Sequence, residues 1–209
     1  MKVFFAILAI LGWFALIAQF YLNITNIYSN ASLSELIIRY FSYFTITTNL
    51  LVAVCCTTLV LAPGSRWGRF FSRQTTLAAV TVYIVIVGVI YNLLLRSIWS
   101  PQGLQKIVDD LLHSIIPLLF LVCWLVFAGK DGLKWKNVWA WLFYPLIYIV
   151  FVFIRGAASG FHPYPFIDIA QIGLQRAIVN AMWVALAFLM TSLLLVAIGK
   201  IMHKRNRSH

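Results

Sequence analysis

Six uninterrupted apolar runs, at about 3–22, 36–61, 76–95, 107–128, 137–155 and 177–199, constrain this chain of 209 residues more than any other feature. At about 1.5 Å per residue, each is long enough to cross the roughly 30 Å hydrocarbon layer of a bilayer as a helix. None alternates with period two, which excludes the strands of a membrane barrel. No linker, repeat or low-complexity tract separates the runs. The expected fold is an all-α integral membrane protein, a six-transmembrane-helix bundle forming a single domain over 1–209. Composition agrees: 63% of the residues are hydrophobic and 10% charged, and mean hydropathy is +0.93. That balance excludes a soluble globule, a disordered tail and a disulfide-stapled secreted module.

The net charge of +11, from sixteen Lys and Arg against five Asp and Glu, would suggest nucleic acid in a soluble domain. Here it records topology. Lys2, Arg66, Arg69, Arg73, Lys130, Lys134, Lys136, Lys200, Lys204, Arg205 and Arg207 fall on one side of the runs. Arg39, Arg96, Lys106, Arg155 and Arg176 fall on the other. The positive-inside rule then places both termini in the cytoplasm, and no nucleic-acid partner is expected. The first run is a span and not a cleaved signal, since Leu16 and Ala18 do not make a small-x-small site. Cys55, Cys56 and Cys123 read as small buried apolar groups. Asn23-Ile-Thr25 and Asn30-Ala-Ser32 are glycosylation triplets too common by chance to decide anything.

Ionisable and amide side chains at membrane depth are costly, so their placement is informative. Gln19, Thr45, Thr48, Asn49, Asn92, Arg96, Asp109, Asp110, His113, Arg155, Gln175 and Asn180 all fall in the external half, against only Thr57, Thr58, Thr81 and Thr191 in the cytoplasmic half. The pattern predicts a polar cup over a sealed base. In the second run, helical spacing puts Thr45, Thr48 and Asn49 on one face and Thr47 on another. In the fourth, Asp109 and Asp110 stand one turn above His113, on its side and within reach of its imidazole. Pro117 lacks the N–H that the His113 carbonyl would accept, which predicts a kink. Counted from the external ends, Thr45 lies about 13 Å deep and His113 about 9 Å deep, so the two can meet. The segment 156–168, with His162, Tyr164 and Asp168, is expected to lie in the interface over the cup or to serve as a structural re-entry. Arg155 and Asp168 read equally well as interfacial anchors, and Trp135, Trp139 and Trp141 as belt residues.

Tyr43-Phe44-Thr45-Ile46-Thr47-Thr48-Asn49, Asp110-Leu111-Leu112-His113-Ser114-Ile115-Ile116-Pro117, and Arg155-Gly156 followed by His162-Pro163-Tyr164-Pro165-Phe166 together resemble the androgen-induced protein family. The likeness is closest to its compact bacterial branch of six-span proteins, which implies a bacterial plasma membrane. Eukaryotic members are threonine hydrolases of fatty acid esters of hydroxy fatty acids. The resemblance implies a reacting Thr at Thr45 and a His at His113, with a membrane lipid or long-chain ester as partner and no cofactor or metal. Thr48 remains an alternative hydroxyl.

The expected chemistry is attack by Thr45 on an ester carbonyl with His113 as base. Asp109 or Asp110 would orient the imidazole, with Thr48, Asn49 and Asn92 in support. Arg155, His162, Tyr164 and Asp168 would contact substrate. A metal-dependent hydrolase using Asp109, His113, His162 and Asp168 is the rival enzyme. A lipid-binding protein or small transporter is the non-enzymatic rival, against which the empty cytoplasmic half speaks.

Overall fold

The computed structural model describes residues 1–25 and 32–207; Asn30 of the second glycosylation triplet lies outside them. The described residues are helical, with no strand among them. Six helices are long and apolar enough to cross a membrane: Lys2–Thr25, Phe44–Leu61, Gln74–Leu95, Gly103–Phe127, Asn137–Ser159 and Leu174–Lys204. By contacts the chain divides into two compact units, Met1–Gly132 and Leu133–His209.

The first unit contains α1 (Lys2–Thr25), α2 (Leu33–Phe41), α3 (Phe44–Leu61), α4 (Arg66–Phe71), α5 (Gln74–Ile90), α6 (Gly103–Asp110) and α7 (Ile116–Phe127). Helix α1 packs along α3, α3 along α5 and α5 along α7, while α1 also meets α6 and α7 and closes the ring. Small residues set the closest approach: a Cβ on Gly12 of α1 would stand 3.1 Å from the Cβ of Ala53 on α3. Around that contact Leu8, Ala15, Val52, Ala53, Cys55 and Cys56 are fully or almost fully buried, which bears out the apolar role expected of those two thiols. Cys123 is buried and free as well. Threonines away from the polar end are absorbed locally, Thr58 donating to the Val54 carbonyl at 2.6 Å and Thr81 to that of Leu77 at 2.7 Å. Thr57 accepts from the Trp13 indole at 3.0 Å.

The expected second span, 36–61, is broken. Helix α2 ends at Phe41, Tyr43 is extended (φ −83°, ψ 126°), and the helix restarts at Phe44. Ser42 folds its hydroxyl back to the Ile38 carbonyl at 2.6 Å, and Tyr40 sends its hydroxyl to the Leu16 carbonyl on α1 at 2.7 Å. Ser32 caps α2 by accepting from the Glu35 N–H, and Glu35 pairs with Arg39 at 2.8 Å. Helix α2 is thus a short capped element of its own, and Thr45 stands in the first turn of α3 instead of two turns inside a long helix. Within α3 the expected face holds: Thr45, Thr48 and Asn49 are buried, whereas Thr47 is half-buried and bonds back to the Phe44 carbonyl.

The second unit contains α8 (Asn137–Trp141), α9 (Phe143–Ser159), a 3-10 turn (Pro165–Ile167), α10 (Ile169–Ile172) and α11 (Leu174–Arg207). Gly160 ends α9 in the left-handed region at φ +68°, where a side chain would be strained. Trp135 and Trp139 are exposed as belt residues should be, but Trp141 is buried, so its ring packs inward.

Candidate functional site

Two π-helical turns build the polar end of the first unit. Tyr91–Leu95 continues α5, with the Arg96 N–H reaching back five residues to the Tyr91 carbonyl, and Leu111–Ile115 joins α6 to α7, with the Ile116 N–H bonded to the Leu111 carbonyl. Wider turns of this kind strand carbonyls and often mark functional positions. Pro117 sharpens the problem. It has no N–H for the His113 carbonyl, one α-turn back, or for the Leu112 carbonyl, one π-turn back. Two asparagines from neighbouring helices fill the gap. Asn92 Nδ2 donates to the His113 carbonyl at 3.1 Å, and Asn49 Nδ2 donates to that of Leu112 at 3.1 Å. Each leaves a carbonyl satisfied that would otherwise cost about 1–3 kcal/mol in an apolar bundle. Gly88 makes room for the kink, since a Cβ there would stand 3.2 Å from the His113 carbonyl oxygen and 3.1 Å from the Pro117 ring.

Asn49 also donates to the Thr45 carbonyl at 2.9 Å. One buried amide therefore ties the turn bearing Thr45 to the turn bearing His113. Asn92 is similarly committed, its amide nitrogen also lying 2.8 Å from the Gly88 carbonyl and 3.2 Å from Ser114 Oγ. Both asparagines hold main chain, so donation to a substrate oxyanion would require breaking those bonds.

The histidine is held from two sides. His113 Nδ1 lies 3.0 Å from the Asp109 carbonyl oxygen and 3.2 Å from Asp109 Oδ1. Both are acceptors, which requires the proton on Nδ1 in the neutral ring and leaves Nε2 with the lone pair, the form a general base needs. Asp109 is 5% exposed, and its other oxygen accepts a hydrogen bond from the Tyr91 hydroxyl. The Tyr91 ring in turn stacks on the imidazole, centroids 3.8 Å apart and planes 13° from parallel.

Asp110 does not share this role. It turns to Arg96 at 3.3 Å and Lys106 at 3.0 Å, an ion pair cluster with half-exposed basic partners. Successive helical residues point about 100° apart, so two adjacent carboxylates cannot both face one imidazole. Arg96 also bonds Asn92 Oδ1 at 2.8 Å and bridges the two π-turns from outside. Further along, Gln19 of α1 and Gln105 of α6 pair amide to amide, the shorter bond at 2.8 Å. Sequence reasoning passed over Tyr91, Ser114 and Gln105. The available signal for Tyr91 was its phenol, which at membrane depth must find an acceptor.

The four residues expected to meet substrate lie in the second unit and are engaged there. His162 Nδ1 is 3.3 Å from Asp168 Oδ1, and the imidazole is 4% exposed. It lies so close on α9 that a Cβ at Gly156 would overlap Nε2 at 2.1 Å. Asp168 also caps α10 through the Ala170 N–H at 3.0 Å. The Arg155 guanidinium covers the Phe161 ring at 5.1 Å, Tyr164 stacks on Phe166 at 5.2 Å, and Asn180 Nδ2 holds the Phe166 carbonyl at 2.7 Å. These contacts tie the segment 156–172 together locally.

No three His, Cys, Asp or Glu side chains come together as a metal would require, among the described residues. The end of the first unit away from His113 is not solid, as a sealed base would be. A cavity of about 240 Å³ lies there, lined by Phe5, Leu59, Leu77, Phe120, Cys123 and Trp124, with Ser72 and Gln74 among its polar walls. Beside it Lys130, 6% exposed, closes the C-terminus of α7: its ammonium donates to the Trp124 carbonyl at 2.7 Å and also to that of Ala128. Compared with family models, curated proteins and solved structures, the chain has no significant match.

Proposed function

We propose that the chain is an intramembrane lipid-ester hydrolase in which Thr45 is the nucleophile and His113 its base. The observation that supports this most is the hold on His113: Asp109 engages Nδ1 twice, so Nε2 is the nitrogen available to take a proton. The Asn49 amide, bonded to both the Thr45 and Leu112 carbonyls, supports the pairing of these two turns. In the first step Thr45 Oγ1 bonds to the ester carbonyl carbon as its proton passes to Nε2. The tetrahedral intermediate then expels the alcohol, which takes that proton from His113 and leaves an acyl-threonine. Water next gives a proton to Nε2 and attacks the acyl carbon, and the proton returns to Thr45 Oγ1 as the carboxylic acid leaves. Thr48, one turn along the same face, is the alternative nucleophile.

The resemblance of the Tyr-Phe-Thr and Leu-His-x-x-x-Pro stretches to the androgen-induced protein family supports a long-chain ester as substrate, such as a fatty acid ester of a hydroxy fatty acid. Eleven of the sixteen basic residues on one side of the spans support cytoplasmic termini in a plasma membrane. A single cysteine at Ser159 should then react with an impermeant thiol reagent from outside and one at Ser65 should not; the reverse pattern inverts the topology.

The decisive experiment is labelling with a hydroxyl-reactive fluorophosphonate, followed by mapping of the modified residue. Modification of Thr45 that disappears in His113→Ala supports the reading. A label on Thr48 reassigns the nucleophile, and no label together with no ester turnover overturns the hydrolase.

A further inference from the structure

We infer that Tyr91 is the positioning residue of this site, fixing the ring orientation of His113 and the carboxylate that faces its Nδ1. It touches the histidine by two independent routes. Its ring covers one imidazole face at 3.8 Å, and its hydroxyl bonds the carboxylate oxygen of Asp109 that His113 does not use. The three side chains form a closed loop, from Tyr91 through Asp109 to His113 and back to Tyr91 by stacking.

Each link removes a freedom that a base must not have. A 180° flip about the Cβ–Cγ bond would exchange Nδ1 with a carbon and move Nε2 away from its place. A ring stacked at van der Waals distance leaves no room for the imidazole to sweep through that rotation. The Nδ1 proton faces two acceptors, the Asp109 main-chain carbonyl at 3.0 Å and its carboxylate oxygen at 3.2 Å, and of these only the carboxylate can turn away. Asp109 sits among apolar neighbours with one oxygen on Nδ1, and without a second donor its other oxygen would be unsatisfied. The Tyr91 hydroxyl supplies that donor, which stops the carboxylate from turning and keeps an acceptor facing Nδ1. The surrounding charges do not compete: Asp110 is paired with Arg96 and Lys106 on the outer side. The π-turn places Tyr91 at the start of Tyr91–Leu95, level with the opposing turn Leu111–Ile115 that contains His113. The two stacked rings therefore come from the irregular turns, and Asp109 from the end of α6 just before the second.

The spectroscopic test needs no substrate. With ¹⁵N-labelled histidine in lipid nanodiscs, neutral wild-type His113 should show one tautomer, protonated at Nδ1, assigned by comparison with His113→Gln. Tyr91→Phe keeps the ring and removes the hydroxyl, and should shift and broaden the Nδ1 signal as the carboxylate turns, with the main-chain carbonyl still accepting. Tyr91→Leu removes the stacking as well and should broaden the ring signals further. A wild-type ring protonated at Nε2, or a Tyr91→Phe spectrum identical to wild type, overturns the inference.

The kinetic test rests on the hydrolase reading. Tyr91→Phe should lower kcat on a long-chain ester by about 10–100-fold, the usual effect of losing an orienting partner, with KM changed less than about twofold. Loss of kcat with unchanged ring signals would make Tyr91 a packing residue only and overturns the inference. Shifted ring signals in a protein that hydrolyses no ester support the assignment of Tyr91 while removing the proposed reaction.

Discussion

Two histidine–aspartate pairs of nearly equal length, one in each unit, are held in different surroundings. His113 and Asp109 stand 3.2 Å apart, one turn apart on a single helix, and His162 and Asp168 stand 3.3 Å apart across a loop. In the first pair the carboxylate is the more buried partner, and the imidazole, 15% exposed, keeps Nε2 free of the contacts that hold Nδ1. In the second the imidazole is the more buried partner at 4%, and Nε2 is pressed against Gly156. Distance alone makes neither pair a catalytic group. Nδ1 faces the carboxylate in both, and what separates them is the room left around Nε2.

The largest expected effect breaks the comparison outright. His113→Ala, Thr45→Ala and the double mutant should all lose ester hydrolysis to one floor, about 100–10,000-fold below wild type, because a base and its nucleophile act as a unit. Thermal unfolding should change less for Thr45→Ala than for His113→Ala, which takes a partner from buried Asp109 and the stacked ring from Tyr91, and Thr45→Ser should keep some activity. Single losses that multiply in the double mutant, or abolition by Thr48→Ala but not by Thr45→Ala, would dissolve the pair.

The second pair should answer in the other currency, stability. Gly156→Ala drives a methyl into the His162 ring and should destabilise the fold by about 1–3 kcal/mol, read as a lower midpoint of thermal unfolding in detergent. Any activity of the folded fraction should persist. An unchanged midpoint would mean that the imidazole is free to leave Gly156, and the contrast between the pairs would shrink.

Between these lie the asparagines that support the first pair. Asn92→Leu should cost about 1–2 kcal/mol by stranding the His113 carbonyl, and Asn49→Leu a similar amount through the Leu112 carbonyl. Asn49→Leu should also lower activity, since it unties the Thr45 turn. Equal activity in the two variants would show that this tie does not matter.

The smallest effect is electrostatic and lies outside the spans. Burial pushes the Lys130 ammonium below the ordinary lysine range. As pH rises through its folded value, the unfolded chain still binds the proton that the folded chain has released, so stability should rise there. Lys130→Met should lose that small alkaline gain, measured by unfolding at neutral and alkaline pH. At neutral pH it should also lose the cap on α7. An identical pH dependence in both proteins would contradict the burial argument.

The six apolar runs were legible because length and hydropathy alone decide them, and the face bearing Thr45, Thr48 and Asn49 was legible because α3 is regular. The break at Ser42–Tyr43 was not, since Phe41, Tyr43 and Phe44 are as apolar as the helices they separate. Pro117 announced a disturbance beside His113, but its form was hidden: a π-turn shifts the phase of every later residue, which a wheel drawn at 100° cannot anticipate. In the sequence Asp110 groups with Asp109 because both lie about one turn from His113, although the roughly 100° between neighbours turns them apart. Tyr91 escaped notice because a tyrosine in an apolar run looks like part of it, and its value emerges only when Asp109 arrives from another helix.

Pro117 has a consequence for how this chain can change. Its missing N–H is answered by Asn92 and Asn49 from two other helices, so the three positions form one heritable unit. Replacing the proline alone leaves both amides their other partners, whereas replacing either asparagine alone exposes the defect that the proline created. Change is therefore ordered: a residue with an N–H at 117 removes the defect, and only after it can either asparagine go cheaply, which makes a single kinked turn a ratchet on the surrounding sequence.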